Sequence, residues 1–245
     1  MLAAGQGTRM KSPLPKVLHR VAGRTMIDRV VAVLEEAGVP AIVVVVGFDR
    51  RAVEEELRAT HPRAVPVEQA EQLGTGHAVR CALPALDEGA GTVGVFSGDT
   101  PLLSPATVHE LMREHFGRAA ALTLLTAELN EPEGYGRVIR SPEGLVERIV
   151  EQRDAGVAER AVREINAGAY IFEQRDLRTA LEDLSTGNAQ GEYYLTDTVG
   201  LLRARGRTVA AVVAPGDAFE VLGVNTLEQL LQAERLLRER RELRV

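Results

Sequence analysis

The N-terminal segment contains the side chains best suited to chemistry. Its run from Leu2 to Met10, LAAGQGTRM, holds two glycines and Arg9, and Lys16 follows shortly after. Glycine lets backbone N–H groups approach an anion closely, because no Cβ atom stands in the way. Arginine adds a planar fork of donors and lysine a compact charge, two usual ways of binding phosphate. The segment therefore predicts a phosphate-binding loop.

Two better-known phosphate-binding patterns do not match this segment. The dinucleotide fingerprint needs a third glycine and a helix directly after it, and both are missing here. The Walker pattern needs Gly-Lys followed by Ser or Thr, and no such sequence follows. On the segment alone, phosphate binding and a surface loop with incidental charges both remain open.

Composition limits the classes of protein to which the chain can belong. Its 245 residues suit one large α/β domain, or a core domain with an inserted lobe. The formal net charge of -6 disfavours nonspecific nucleic-acid binding, which needs a basic face. No apolar stretch approaches the roughly 20 residues of a membrane span, and no secretory leader pattern opens the chain. Cys81 is the single cysteine, which favours a cytoplasmic location, and its apolar surroundings predict a buried structural role.

Alternating helix and strand patterns predict the fold. Apolar residues at helical spacing from Met26 to Leu34 precede a continuous apolar run from Ala41 to Val46, typical of a strand covered on both faces. Continued alternation to about residue 130 predicts a Rossmann-like, mostly parallel sheet with helices on both faces. Ligands bind at the carboxyl ends of strands in such sheets. Asp99, after the predicted strand Thr92 to Phe96, is expected there.

After about residue 130 the pattern changes to a β-rich second lobe. A hairpin is predicted around the turn from Ser141 to Gly144, and a further strand over Ala167 to Phe172. Helices are predicted near 174–184 and 196–205, then a strand over 209–213. A charged helix from Leu227 to Leu243 closes the chain.

Motifs along nearly the whole chain resemble the signature of sugar-phosphate nucleotidylyltransferases, and in particular the uridylyltransferase part of the bifunctional N-acetylglucosamine 1-phosphate enzymes. Each motif is weak alone, but together and in this order they are highly specific. Besides the opening loop they are LPKVL from Leu14, EQLGTGHA from Glu71, GDTPL from Gly98, GYGR from Gly134, VEQ from Val150, EINAG from Glu164, NAQGEYYLTD from Asn188 and GVN from Gly223.

The resemblance implies an activity and a domain organisation. UTP and N-acetylglucosamine 1-phosphate would give UDP-N-acetylglucosamine, a bacterial cell-envelope precursor, and pyrophosphate, with Mg²⁺ as cofactor. Residues 1–227 would form the nucleotidylyltransferase domain, with a nucleotide part to about 130 and a sugar-binding lobe over 131–227. Residues 228–245 would lead to an acetyltransferase domain absent from this sequence. Small molecules are then the expected partners, and a monomer or weak oligomer is expected without that trimer-forming half.

The resemblance also implies a role for each candidate site residue. Arg9 and Lys16 would bind the triphosphate as catalytic residues, and Asp99 and Asn225 would bind Mg²⁺. Carboxylate and amide oxygens suit a hard ion that keeps waters and bridges phosphates. The substrate-binding residues would be Leu2, Ala3, Ala4, Gly5 and Gly7 in the loop, Gln69, Gln72, Gly74 and Thr75 at a pyrimidine base, and Gly136, Glu151, Asn166, Thr196 and Asn225 at the acetamido sugar.

Plainer interpretations stand beside these roles. Asp99 is alternatively a turn aspartate, and Asn225 and Thr75 are alternatively helix caps. His77 and the pair Tyr193-Tyr194 are predicted to pack rather than to bind ligand. For the whole chain, the alternatives are a sister nucleotidylyltransferase with another sugar or base, and a non-catalytic nucleotide-sugar-binding regulatory domain.

The start of the chain raises a structural question. The family carries a central strand of several apolar residues before the loop, and only Met1 and Leu2 stand there in this sequence. The first strand is therefore expected to be largely missing, which would leave ladder groups unpaired on its neighbours. The hypothesis is that the true start lies upstream, or that this chain is less stable and less active than one with the strand restored.

Overall fold

The computed structural model describes residues 1–86, 91–214 and 219–242. The predicted helix end at Leu243 lies outside these residues. None of the helices in these ranges is long and apolar enough to cross a bilayer. The strands are β1 (Leu2–Ala3), β2 (Arg20–Val21), β3 (Arg24–Thr25), β4 (Val43–Val46), β5 (Val65–Glu68), β6 (Thr92–Phe96), β7 (Leu122–Glu128), β8 (Arg137–Arg140), β9 (Val146–Val150), β10 (Glu164–Glu173) and β11 (Val209–Val213). The helices are α1 (Met26–Glu36), α2 (Arg50–Thr60), α3 (Thr75–Ala82), α4 (Pro105–Gly117), α5 (Val157–Arg160), α6 (Gln174–Glu182), α7 (Asp197–Ala204) and α8 (Leu227–Glu242).

The main sheet runs in the order β5, β4, β1, β6, β10, β7 and β11. Strands β5, β4 and β1 pair in parallel, and a single parallel bridge between Leu2 and Ser97 joins β1 to the end of β6. Strand β10 pairs antiparallel with both β6 and β7, and β11 runs parallel to β7. In this row of described strands β10 alone is reversed, so the predicted mostly parallel sheet is confirmed.

Helices cover both faces of this sheet, as the alternation predicts. On one face α1, α2 and α4 pack over the buried side chains of Val44, Val46 and Phe96. On the other face α3, α6 and α7 pack over Tyr170 and Phe172. Removing apolar area from water at roughly 25 cal/mol per Å² is the main force that holds such layers together.

Strand β10 links the main sheet to the second lobe. Its first half pairs with β8 at Ile165, and β8 forms the predicted hairpin with β9. Its second half, from Ala169 onward, pairs with β6. The small hairpin of β2 and β3 was not predicted, because two-residue strands show no periodicity; helix α8 packs near it through Ala233 and Leu236.

Strand β1 spans two residues, Leu2 and Ala3. It pairs with the last two residues of β4, Val45 and Val46. The first residues of β4 and β6, from Val43 and Thr92 onward, therefore extend beyond the amino end of β1. An apolar cavity of about 320 Å³ lies there, and we call it the strand-edge cavity. Its lining includes Met1, Val43 and Val93. The buried amino group of Met1 donates to Val43 O at 2.7 Å.

Candidate active site

The carboxyl ends of β1, β4 and β6 bring three loops into contact. The backbone N–H of Gly98 donates to Leu2 O at 2.9 Å, and a Cβ atom at Gly98 would lie 3.0 Å from that oxygen. A Cβ atom at Gly47, after β4, would lie 2.8 Å from Ala4 O. Residues without side chains at these strand ends therefore allow the loops to approach one another closely.

A cleft of about 280 Å³, the loop cleft, opens at this edge of the sheet. It gathers the opening loop, the EQLGTG motif and the end of β6. Most residues that the sequence assigned to the nucleotide lie here. Its lining is Leu2, Ala3, Ala4, Gly5, Lys16, Val17, Gln69, Gln72, Gly74, Thr75, Ala78, Ser97, Asp99 and Glu192.

A second space of about 190 Å³, the lobe cavity, lies between the end of β6 and the second lobe. Ser97 and Asp99 line both spaces, so the two meet at the end of β6. Among the residues assigned to the sugar and the cation, the lobe cavity is lined by Asp99, Gly136, Glu151, Asn166 and Asn225.

Three predicted residues lie somewhat apart from their expected places. Arg9 is exposed and lines the lobe cavity rather than the loop cleft. Gly7 has a φ of +69°, and its Cβ would lie 2.5 Å from the Lys16 Cβ, so it packs against the lysine stem. Thr196 is buried behind the lobe cavity and reaches it through Glu151.

Lys16, Asp99 and Asn225 form the polar centre where the two spaces meet. The Lys16 ammonium donates to Asp99 Oδ2, and to Asn225 Oδ1 at 3.0 Å. The backbone N–H of Val224 donates to Asp99 O at 2.8 Å, which holds the GVN motif beside β6. Because both oxygens converge on one donor, they also suit a single hard cation, the ligand chemistry expected for Mg²⁺.

The two helix-cap alternatives are wrong. At α8 the capping side chain is that of Thr226, whose Oγ1 accepts from Gln229 N at 3.2 Å, and Asn225 instead directs its oxygen at Lys16. At α3 the N-cap is Gly74 and has no side-chain cap. Thr75 Oγ1 instead accepts from Leu195 N at 3.0 Å. Both side chains therefore serve contacts between distant parts of the chain.

Amide side chains shape the far end of the loop cleft. The Gln69 amide nitrogen donates to Gly74 O at 3.0 Å and lies 3.0 Å from His77 Nδ1. The Gln72 amide donates to Gln69 O at 3.1 Å. Gly74 has a φ of +103°, and a Cβ there would lie 2.6 Å from Tyr193 O. This loop is consequently fixed against the NAQGEYYLTD segment.

A partly buried carboxylate, that of Glu151, lines the lobe cavity. Burial raises the pKa of Glu151, and the hydrogen bond from Thr196 Oγ1 at 2.9 Å partly opposes that rise. A Cβ atom at Gly136 would lie 2.9 Å from Ile149 Cγ2 and 3.5 Å from both Glu151 oxygens. A Cβ atom at position 136 would therefore overlap with Ile149 and touch the carboxylate only at van der Waals distance.

Asn166 is positioned by an irregularity in β10. The pairing of β10 with β7 shifts register between Asn166 and Tyr170, and Gly168 in between has a φ of +72°. Asn166 Oδ1 accepts from Gly168 N at 3.3 Å, and its amide nitrogen donates to the Tyr170 hydroxyl at 2.6 Å. Bulges of this kind commonly redirect side chains beside functional sites.

The sequence did not single out Ser97, Tyr135, Glu192 or Gln229, which also line the two spaces. Ser97 Oγ donates to Gly168 O at 3.3 Å and joins β6 to the bulge in β10. Its position directly after β6 was the available signal, since ligands bind at strand carboxyl ends. Burial raises the pKa of Tyr135, which lies within the GYGR motif.

Residues predicted to be structural line neither space. Cys81 is partly buried, with Sγ 3.8 Å from His77 Nε2, and burial raises its thiol pKa. A raised pKa disfavours the thiolate that a nucleophile needs. The Tyr194 hydroxyl donates to Asp154 Oδ2 at 3.2 Å, and the Arg80 guanidinium lies 4.4 Å from the Tyr193 ring centre.

The fold agrees with comparisons to known proteins. The family model described as "MobA-like NTP transferase domain" matches residues 1–240, and the chain belongs to this family. A structure titled "The Crystal Structure of UDP-glucose pyrophosphorylase complexed with UDP-glucose" has the same fold. It superposes with a TM-score of 0.73 at 18% identity and covers 98% of this chain and 97% of that one.

Sequence relatives narrow the class further. "Bifunctional protein GlmU" of Trichlorobacter lovleyi is 48% identical over 245 residues, which are 100% of this chain and 53% of the relative. The protein of the same name from Pelobacter propionicus is 49% identical over 240 residues, 98% of this chain and 52% of the relative. The chain is a nucleotidyltransferase domain homologous to part of GlmU, and it spans about half the length of these relatives.

Proposed function

We propose that this chain transfers a uridylyl group from UTP to N-acetylglucosamine 1-phosphate with the aid of Mg²⁺. A phosphate oxygen of the sugar phosphate attacks the α-phosphorus of UTP. The bond from that phosphorus to the bridging oxygen of the β-phosphate breaks, and pyrophosphate leaves. UDP-N-acetylglucosamine is the second product.

One observation carries the proposal: the loop cleft and the lobe cavity meet at Asp99, beside Lys16. A nucleotide in the first space and a sugar phosphate in the second would bring their phosphates together at this point. Phosphoryl-type transfer depends mainly on positioning and charge neutralisation. The arrangement provides both at the junction.

Each polar residue has a role in this proposal. Lys16 and Arg9 bind the phosphates, and Lys16 stabilises the charge that develops at the reacting phosphorus; such a cation typically contributes on the order of 2–4 kcal/mol. Asp99 and Asn225 would hold Mg²⁺, whose charge offsets that of the phosphates. The opening-loop N–H groups complete the triphosphate site.

Specificity would come from the two ends of the site. Gln69 and Gln72 carry amides, which suit the donor and acceptor pattern of a uracil edge. Because the Gln69 amide nitrogen contacts Gly74 O and His77 Nδ1, its carbonyl oxygen is the group that Gln69 would offer. In the lobe cavity Glu151 and Asn166 would accept from and donate to the sugar hydroxyls and acetamido group, with Gly136 leaving room for the ring. A cytoplasmic location and a monomeric or weakly associated state accompany the proposal as predictions.

The deciding experiment measures pyrophosphate release from UTP, N-acetylglucosamine 1-phosphate and Mg²⁺ by the purified chain. Release that requires all three components is the expected result. The same assay with glucose 1-phosphate and with other nucleoside triphosphates tests the sister-enzyme alternative. Binding of UDP-N-acetylglucosamine without any turnover would contradict the proposal and support a regulatory domain.

A further inference from the structure

The Lys16 ammonium occupies the place between the two oxygens assigned to the cation. It donates to Asp99 Oδ2 and to Asn225 Oδ1, and the Lys16 and Asp99 side chains are 15% and 19% exposed. A Mg²⁺ ion bound to the same oxygens at about 2.1 Å would lie within the space that the ammonium fills. Two positive charges so close together repel strongly. Lys16 in this position and a cation at these oxygens therefore exclude one another.

The protein alone offers a cation little to bind. Within residues 1–86, 91–214 and 219–242, no group of three or more His, Cys, Asp or Glu side chains is placed to hold a metal ion. Asp99 supplies one negative charge and Asn225 a neutral amide oxygen, and Lys16 already offsets that charge. A hard cation with few protein ligands completes its shell with water and substrate phosphates. The triphosphate is thus the source of the missing oxygens.

A lysine at position 16 suits a side chain that must move from the Asp99 carboxylate to a phosphate. Of the 29 lysine and arginine residues in the chain, only Lys11 and Lys16 are lysines. An ammonium is a compact charge on a flexible stem, whereas a guanidinium forms a rigid bidentate fork with carboxylates. A lysine can therefore leave Asp99 for a phosphate by a small movement of its side chain.

We propose that Lys16 closes the cation site of the nucleotide-free protein, so that a divalent cation enters only together with the triphosphate that draws the ammonium away. This inference rests on the proposed nucleotide site. It makes cation binding and triphosphate binding mutually dependent, and coupling between sites of this kind commonly amounts to about 5–150-fold in affinity. Free cation, by contrast, binds weakly.

The test titrates the full chain with Mn²⁺ and follows free Mn²⁺ by electron paramagnetic resonance, without sugar phosphate, so that no turnover occurs. The variant Lys16→Met keeps the stem that packs on Gly7 and removes the charge. It should bind Mn²⁺ at least about tenfold more tightly than the parent chain. Lys16→Arg retains the charge, and Lys11→Met changes an exposed lysine of the same segment; both should bind Mn²⁺ as weakly as the parent.

A second arm adds UTP. In the parent chain UTP should tighten Mn²⁺ binding at least about tenfold beyond the affinity of UTP itself for Mn²⁺, and in Lys16→Met this gain should shrink. Equal Mn²⁺ affinity of Lys16→Met and the parent would overturn the inference, as would tight Mn²⁺ binding by the nucleotide-free parent. Failure of the proposed function would show differently, as absence of pyrophosphate release. A thermal melt of each variant confirms that it is folded.

Discussion

The two ends of strand β1 meet opposite environments. At its carboxyl end the chain enters the loop cleft, where Lys16 contacts Asp99 and Asn225 and glycines let neighbouring loops approach. At its amino end lies the apolar strand-edge cavity of about 320 Å³, with the buried amino group of Met1 facing Val43 O. One end is rich in polar contacts, and the other leaves apolar surface without a neighbouring strand.

The contacts that shape the site lie at the carboxyl end of β1. The geometry of the site is held by contacts after the strands, such as Gly98 N to Leu2 O and Val224 N to Asp99 O. The strand-edge cavity instead lowers the free energy of unfolding, because the atoms that line unfilled space lack the contacts of a close-packed core. Changes at the carboxyl end should therefore affect turnover, and changes at the amino end should mainly affect stability.

The largest effect is expected from Asp99→Ala. Loss of the carboxylate removes the Lys16 partner and the charged oxygen of the cation site, so pyrophosphate release should fall by about a thousandfold or more. The midpoint of unfolding should change little, because Asp99 lies in the site and not in the core. Asp183→Ala, which removes a surface ion pair with Arg205, is the control and should keep near-parental turnover. Near-normal turnover in Asp99→Ala would contradict the metal assignment.

A pH effect is expected at the opposite end of β1. Burial lowers the pKa of the Met1 amino group from 8.0 to about 5. Between these values the amine is neutral when folded and protonated when unfolded, so the unfolded chain binds more protons and stability falls as the pH decreases from 8 to 5. The loss from this group alone approaches about 4 kcal/mol at pH 5.

Urea unfolding at pH 5 and pH 8 measures this loss. The matched control is the same chain acetylated at its amino terminus, where the group cannot be protonated and only the remaining pH dependence persists. Met1 lines the strand-edge cavity, so an acetyl group on its nitrogen would have that space beside it. Identical pH dependence of the two forms would show that the amine does not carry the effect.

Filling the strand-edge cavity should have an intermediate effect. Four apolar residues added before Met1 would continue β1 between β4 and β6. The added residues would bury apolar surface at roughly 25 cal/mol per Å², and ordering four residues costs roughly 6 kcal/mol, so the net gain in stability should be positive but small. Thermal unfolding against a version with four Gly and Ser residues measures the gain. Turnover should rise less than stability, and equal melting temperatures would count against the idea.

The smallest effect is expected from Gly136→Ala. A methyl group there would overlap with Ile149, next to the Glu151 carboxylate, and Ile149 would have to shift, so the KM for the sugar phosphate should rise about tenfold with the KM for UTP unchanged. Gly117→Ala is the control, because nothing lies within 4 Å of its Cβ position. An equal rise in the KM for the sugar phosphate and the KM for UTP would contradict the assignment of the lobe cavity to the sugar.

Much of this molecule could be predicted from the sequence, because periodic apolar runs determine long elements. The runs before Gly47 and Asp99 indicated strands β4 and β6, and the carboxyl-end rule then placed Asp99 in a crevice. Most residues assigned through the resemblance line one of the two spaces. Their individual roles stay predictions.

The remainder depends on contacts between distant parts of the chain. Pattern alone could not show that Thr226 would cap α8 and leave Asn225 to Lys16, since neighbouring polar residues compete for one helix end. Nor could it show that Thr75 would accept from Leu195, some 120 residues away. The reversed direction of β10 likewise follows from tertiary pairing with β6 and β7.

The single bridge between Leu2 and Ser97 has a consequence for motion. Opening this one pairing breaks the backbone ladder between the β5–β4–β1 part of the sheet and the β6–β10–β7–β11 part, whereas each other junction in the row pairs two or more positions. Local opening is cheapest where the fewest contacts are lost. Amide hydrogen exchange at Gly98, whose N–H donates to Leu2 O, therefore reports directly on this seam. A nucleotide seated across the seam would slow that exchange.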